Sequence, residues 1–136
     1  MNLNQVTLTV INMDESTEFY RRLGFLQIVD TPHYARFACP GEGATFSLSL
    51  AETDSLTNTQ NKLSSGTTVY FEHEKLDEWV TTVQSRGIEF KQLPISQPYL
   101  WREAILTDPS GNKIKLYWAG ENRLNPPWRV EKKYQE

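Results

Sequence analysis

Lys115 is the side chain on which the chemistry of this sequence turns. It follows Asp108-Pro109-Ser110-Gly111-Asn112, a tight-turn sequence in which Pro109 pre-sets φ and Gly111 and Asn112 tolerate positive φ. From Ile114 to Trp118 apolar and polar residues alternate, so Ile114, Leu116 and Trp118 take one face of a strand and Lys115 and Tyr117 the other. The same alternation puts Gln5, Thr7, Thr9, Ser47, Ser49, Thr68, Tyr70 and Glu72 on that second face, with Tyr34, Arg36, Glu103 and Ile105 joining from shorter strands. Tyr70 and Tyr117 could stack on a planar ligand, while Lys115 and Arg36 could meet an anion. Lys115 could instead pair internally with Glu72 or Glu103, or work with one of them as acid and base if burial depressed its pKa. The two histidines read otherwise. His73 lies beside Glu72 and Glu74 where a strand runs into a helix, and His33 follows Pro32 in a loop, so both read as surface or helix-start residues. Cys39 precedes Pro40 at a turn and has no motif partner, which gives it a structural role.

The elements that position these residues come in two matching sets. Gln5 to Val10 alternates as a strand, and Asn12 with Glu15 caps a helix carrying Phe19, Tyr20 and Leu23 that ends at Gly24. Phe25–Val29, Tyr34–Cys39 and Ala44–Ala51 read as three further strands. After a polar stretch over residues 52–65, Thr68–Glu72 is a strand, and Leu76, Trp79, Val80 and Val83 mark a helix that ends at Gly87. Strands at Ile88–Leu93, about Glu103–Thr107 and Lys113–Trp118 complete the second set. An offset of 63 maps Val6 onto Val69, Met13 onto Leu76 and Gly24 onto Gly87. In the last hairpin Phe46 maps onto Ile114 at an offset of 68, which places about five extra residues near Pro94–Trp101. The expected architecture is α+β: two βαβββ modules, about 3–51 and 66–118, in one domain over 1–118, followed by a tail over 119–136. The loop bearing Tyr99 and Trp101 reads either as a rim over the polar face or as packing at the sheet edge. Pro126 and Pro127 make the tail extended, with Trp128 free to dock on the body or on a partner subunit.

Composition narrows the function classes. A net charge of −3 with no basic cluster argues against nucleic acid as a partner. No apolar run approaches the roughly 20 residues of a membrane span, and one cysteine excludes an internal disulfide framework, so a cytoplasmic protein is expected. Aromatic residues make up 12 % of the chain, more than a minimal core needs, which leaves rings available for a binding site.

Val6-Thr7-Leu8-Thr9-Val10 before a helix ending Phe19-Tyr20-Arg21-Arg22-Leu23-Gly24-Phe25, together with Asp108-Pro109-Ser110-Gly111-Asn112 leading into Ile114-Lys115-Leu116-Tyr117, resembles the vicinal oxygen chelate superfamily, also called the glyoxalase/bleomycin resistance/dioxygenase fold. The resemblance spans roughly residues 3–118. It implies paired modules whose curved mixed sheets enclose a cavity with the helices outside, commonly in a dimer. Catalytic members hold a divalent ion with His and Glu on the first and last strands of each module. Those positions correspond here to Gln5, Ser47, Thr68 and Lys115. Amide and hydroxyl groups are weak ligands, and a protonated lysine repels a cation, so neither a metal nor another cofactor is expected. The leading expectation is a metal-independent small-molecule-binding protein and homodimer, its pocket drawn from Gln5, Thr7, Arg36, Ser47, Thr68, Tyr70, Trp101, Lys115 and Tyr117. A second is a metal-independent isomerase, lyase or hydrolase of an activated carbonyl compound, with Lys115 as positive centre and Glu72 or Glu103 as its partner. A third is an interaction module whose cavity is filled by its own side chains.

Overall fold

In both halves the strands bury apolar side chains in the core, Phe37 and Leu48 in one and Leu106 and Ile114 in the other, and the elements follow in the same order. The computed structural model describes residues 1–41, 43–52 and 66–134. The first module runs β1 (Gln5–Val10), α1 (Met13–Arg22), β2 (Leu26–Asp30), β3 (Tyr34–Ala38) and β4 (Thr45–Leu50). The second runs β5 (Thr68–Glu72), α2 (Leu76–Ser85), β6 (Gln92–Ser96), β7 (Arg102–Thr107) and β8 (Lys113–Trp118). Each module is a four-stranded sheet, of order β1-β4-β3-β2 and β5-β8-β7-β6. The β1–β4 and β5–β8 pairs are parallel and the others antiparallel, so both sheets are mixed and the α+β expectation holds. The stretch read as a linker lies, apart from Glu52, outside the described residues.

Helix α1 starts where Asn12 accepts the Glu15 N–H at 3.0 Å. Both helices end at a glycine with positive φ, Gly24 at 109° and Gly87 at 89°. At Gly24 the constraint is also steric: an added Cβ would lie 2.5 Å from the Trp79 ring, which packs across from α2. That ring donates its Nε1–H to the Leu23 carbonyl at 3.2 Å.

One expected strand is displaced. The sequence places it at Ile88–Leu93, but β6 begins at Gln92, because Ile88 drops into the core and Phe90 packs against it before the sheet resumes. Gln27 faces Phe37 and Gln92 faces Ile105, so the repeat offset is already 65 in β6. The extra residues are therefore split: two precede β6 and three lie in the β6–β7 loop, rather than all five falling at Pro94–Trp101. A further difference is Trp118, which is 37 % exposed although it shares the parity of the buried Ile114 and Leu116.

The core is continuous across the modules. Phe37 stacks on Phe46 at 5.0 Å, and Phe46 and Phe25 meet Phe71 of β5 at 5.1 and 4.6 Å. Such ring pairs contribute about 0.5–1.5 kcal/mol each beyond their buried area. A polar latch lies beside these rings. The Tyr20 hydroxyl, on a residue with no exposed surface, donates to Asp108 Oδ2 at 2.8 Å. Ser110 Oγ accepts the Ile11 N–H at 2.8 Å, and Asn112 Nδ2 donates to the Thr9 carbonyl at 2.9 Å. The turn at 108–112 thus closes its own hairpin and also ties the second module to the first.

The latch has a pH signature. Burial, and after it the adjacent Asp108 carboxylate, pushes the Tyr20 phenol well above its ordinary value of 10.0. Above that pH the unfolded chain loses this proton while the folded chain keeps it, so stability falls with rising pH by about 1.4 kcal/mol per unit. Tyr20→Phe should be less stable than the parent at pH 8 by about 1.5–3 kcal/mol, the value of a hydrogen bond to a charged group. The gap should narrow as the pH passes 10, because the variant lacks the titrating proton. Urea unfolding of both proteins at pH 8 and 10.5 measures this, and a gap that stays constant would rule out Tyr20 as the titrating group.

Candidate functional site

The polar faces of the two sheets carry two separate side-chain clusters. In the first module Thr7 faces Ser47 across the β1–β4 pair, and Ser47 faces Arg36 across β3–β4. Gln5 Nε2 donates to Ser47 Oγ and reaches Thr7 Oγ1 at 3.5 Å. Ser47 Oγ lies 2.6 Å from the Tyr34 hydroxyl, which accepts from Arg36 Nε at 3.0 Å. The Ser47 hydrogen bond, followed by those of Arg36, lowers the Tyr34 phenol from its ordinary value, against the opposing effect of desolvation.

In the second module Tyr70 faces Lys115 across β5–β8, and Glu103 faces Tyr117 across β7–β8. Lys115 Nζ, on a side chain 14 % exposed, forms an ion pair with Glu103 Oε1 at 3.3 Å. The Glu103 side chain is 2 % exposed, and the same oxygen accepts from the Tyr99 hydroxyl. Four rings close around this pair. Trp101 stacks on Tyr117 at 4.8 Å, Tyr70 meets Trp101 and Tyr117 edge-on at 5.8 and 5.4 Å, and Lys115 Nζ sits 5.3 Å from the Tyr70 ring centre. Tyr117 points away from the helices yet is 6 % exposed, because Trp101 covers it. Burial works to lower the Lys115 pKa, but the hydrogen bonds to Tyr70 and Glu103 and the charge of Glu103 outweigh it, and the net shift is upward. Burial, with help from the Glu72 charge, also raises Tyr117.

Most of the residues expected at the site therefore fall into one cluster or the other. Gln5, Thr7, Arg36 and Ser47 form the first; Tyr70, Trp101, Lys115, Tyr117 and Glu103 form the second. Thr68 stands opposite Lys113, two pairs before Tyr70 and Lys115. Of the two carboxylates considered for Lys115, Glu103 is the partner; Glu72 is exposed and lines a cleft with His73 and Trp79. Of the two readings of the 97–101 loop, the rings lie over the polar face rather than at the sheet edge. Tyr99 reaches Glu103 from a loop in which Leu100 takes φ 69°, a contact that residue types and spacing do not disclose. The tail docks on the same rings. The Trp101 indole donates to the Asn122 carbonyl at 3.3 Å, and Tyr70, Tyr99, Trp101, Arg123, Pro126 and Trp128 line a cleft of about 240 Å³. That is room for a ring or two rather than a drug-sized body.

The four positions implied to bind metal do not suit one. Gln5 and Ser47 spend their polar atoms on each other and on Thr45 and Tyr34, and Lys115 carries a positive charge paired to Glu103. Among the described residues no three His, Cys, Asp or Glu side chains come together as a metal site.

Two βαβββ modules with a latched turn and a polar face on each sheet define a paired-module α+β protein. The sequence model of the Glyoxalase/Bleomycin resistance protein/Dioxygenase superfamily matches residues 2–116, and the chain belongs to that superfamily. Among solved structures it is similar to a glyoxalase/bleomycin resistance protein/dioxygenase from Nocardioides, at 24 % identity and a TM-score of 0.67 over 86 % of this chain and 82 % of that one. It is also similar to lactoylglutathione lyase from Agrobacterium tumefaciens, at 18 % identity and a TM-score of 0.67 over 85 % and 92 % of the two chains. A bleomycin-binding protein complexed with bleomycin matches at 20 % identity and a TM-score of 0.66 over 86 % and 98 %. These likenesses establish the fold alone. A search of curated proteins by sequence returns no match.

Proposed function

We propose that this protein is a metal-independent small-molecule-binding protein that takes a planar aromatic ligand with an anionic group, as a homodimer in the cytoplasm. The observation that carries the reading is the Lys115–Glu103 ion pair inside the box of Tyr70, Tyr99, Trp101 and Tyr117, at a position implied to hold a metal ligand. Rings stacked edge and face present a flat apolar surface, and Tyr70 and Tyr99 remain 42 % and 41 % exposed on its open side. Binding is favoured over turnover by the state of Lys115: a general base must shed its proton near neutral pH, whereas its surroundings hold that proton more tightly than water does. A homodimer is supported by the outer-edge strands, where Leu26, Ile28, Leu93 and Ile95 are 49–67 % exposed. The structural relative that binds bleomycin supports a ligand-holding role for the fold.

The crowding of the rings over Lys115 favours a second reading, an interaction module whose cavity its own side chains fill. Titration with a panel of one- to three-ring aromatic carboxylates, read by tryptophan fluorescence and thermal shift, separates the two. Micromolar binding by the parent, weakened about tenfold in Trp101→Ala, is the expected result, since stacking on one aromatic side chain contributes about 1–3 kcal/mol. No binding by any member would favour the filled cavity. Ligand consumed over hours in the same tubes would restore the enzyme reading. Stoichiometric metal surviving dialysis would end the metal-free one.

A further inference from the structure

The first module's polar face contains a hydrogen-bond chain that runs from Thr45 through Gln5 and Ser47 to Tyr34 and Arg36. The Thr45 hydroxyl meets Gln5 Oε1, and the amide nitrogen of the same side chain is turned toward Ser47. Ser47 is fully buried, and its Oγ accepts from that nitrogen. Ser47 Oγ also lies 2.6 Å from the Tyr34 hydroxyl, and either of the two can be the donor. Arg36 Nε donates to the same Tyr34 oxygen at 3.0 Å. With Ser47 as the donor, both lone pairs of that oxygen are engaged and the Tyr34 proton is presented to whatever lies over the sheet.

Arg36 stands two residues from Tyr34 on β3 and therefore on the same face. Its terminal nitrogens have no carboxylate partner among the described residues, although Nε is engaged. The positions of β1, β3 and β4 that share this face carry amide, hydroxyl and apolar side chains and no carboxylate, so Arg36 is the one formal charge on those strands' polar face. A hydroxyl proton and guanidinium N–H groups offered side by side, without a competing anion, match a carboxylate, whose two oxygens accept from both.

We propose that Tyr34 and Arg36 form an organic-carboxylate site on the first module's sheet, with Ser47 and Gln5 as positioning residues that turn the Tyr34 proton outward. The proposal rests on the small-molecule-binding reading and names which end of the ligand this module takes.

Naphthalene-2-carboxylate and its neutral amide, titrated by calorimetry into the parent, Arg36→Gln, Tyr34→Phe, Ser47→Ala and Ser47→Thr, test it. The parent should bind the acid at least tenfold more tightly than the amide. Arg36→Gln should erase that ratio by weakening the acid far more than the amide. Tyr34→Phe should lower the ratio several-fold. Ser47→Ala should do the same and Ser47→Thr should restore it, which a merely structural serine would not produce. Equal affinity of the parent for acid and amide, or an Arg36→Gln loss shared equally by both, would overturn the carboxylate site and leave the binding reading standing. If neither compound binds the parent at millimolar concentration, the binding reading fails and the carboxylate site with it.

Discussion

Replacing Asp108 by alanine is expected to destabilise the protein by about 3–5 kcal/mol and to lower its melting temperature by about 10–20 °C. The Asp108 side chain accepts from the Tyr20 hydroxyl at 2.8 Å and from the Ser110 N–H, the Asn112 N–H and Asn112 Nδ2, each at 2.9 Å. The residue is 2 % exposed, and Tyr20, Ser110 and Asn112 are buried with it, so water cannot replace the lost acceptor without opening the junction between the modules. Each buried donor left without a partner costs about 1–3 kcal/mol, and bonds to a charged acceptor lie at the upper end of that range. Asp108→Asn should cost roughly half as much, because its carbonyl still accepts from the two backbone N–H groups while its amide nitrogen faces Asn112 Nδ2. Chemical denaturation at pH 7 measures both. A loss below about 1 kcal/mol for Asp108→Ala would mean that the aromatic contacts alone hold the modules together.

That turn also shows what a sequence of this kind can and cannot disclose. Its hairpin role follows from local chemistry, since Pro, Gly and Asn have backbone preferences that act at the positions where they stand. Its latching role does not, because the partners Tyr20 and Ile11 are 88 and 99 residues away from Asp108 and Ser110, and nothing in the spacing of polar residues marks a contact at that range. The repeat itself conceals the latch: Val83, the counterpart of Tyr20, has no hydroxyl. The same division runs through the site. Face membership was legible because strand parity is a period-2 property, and it correctly grouped Lys115, Tyr117 and Tyr70 with Glu103, and Arg36 with Ser47. Which carboxylate Lys115 selects was not legible, because Glu72 and Glu103 share that face and the choice depends on how far each side chain is buried. The misplaced β6 has the same origin. Ile88 and Phe90 look like strand residues by type, but they serve the core as the chain leaves Gly87, and a hydrophobic run does not disclose which element will use it.

The second large effect is expected at the ion pair. Lys115→Met should cost about 3–5 kcal/mol, because it leaves Glu103 ionised at 2 % exposure with Tyr99 as its remaining donor. Removing the other partner should cost less: in Glu103→Met the ammonium keeps the Tyr70 face and, at 14 % exposure, a path to solvent. The double variant should recover most of the loss, since apolar side chains of similar length can fill the space between Tyr70 and Tyr117 without leaving a buried charge. A double-mutant cycle built from urea unfolding should therefore give a coupling of about 2 kcal/mol or more, whereas strictly additive costs would show that the two charges ignore one another. The same double variant links stability to recognition. If the carboxylate of a ligand is read by Tyr34 and Arg36, its preference for naphthalene-2-carboxylate over the amide should survive the loss of both Lys115 and Glu103. If that preference disappears, Lys115 is itself the anion contact, and the ion pair seen in the free chain is the arrangement that a ligand displaces.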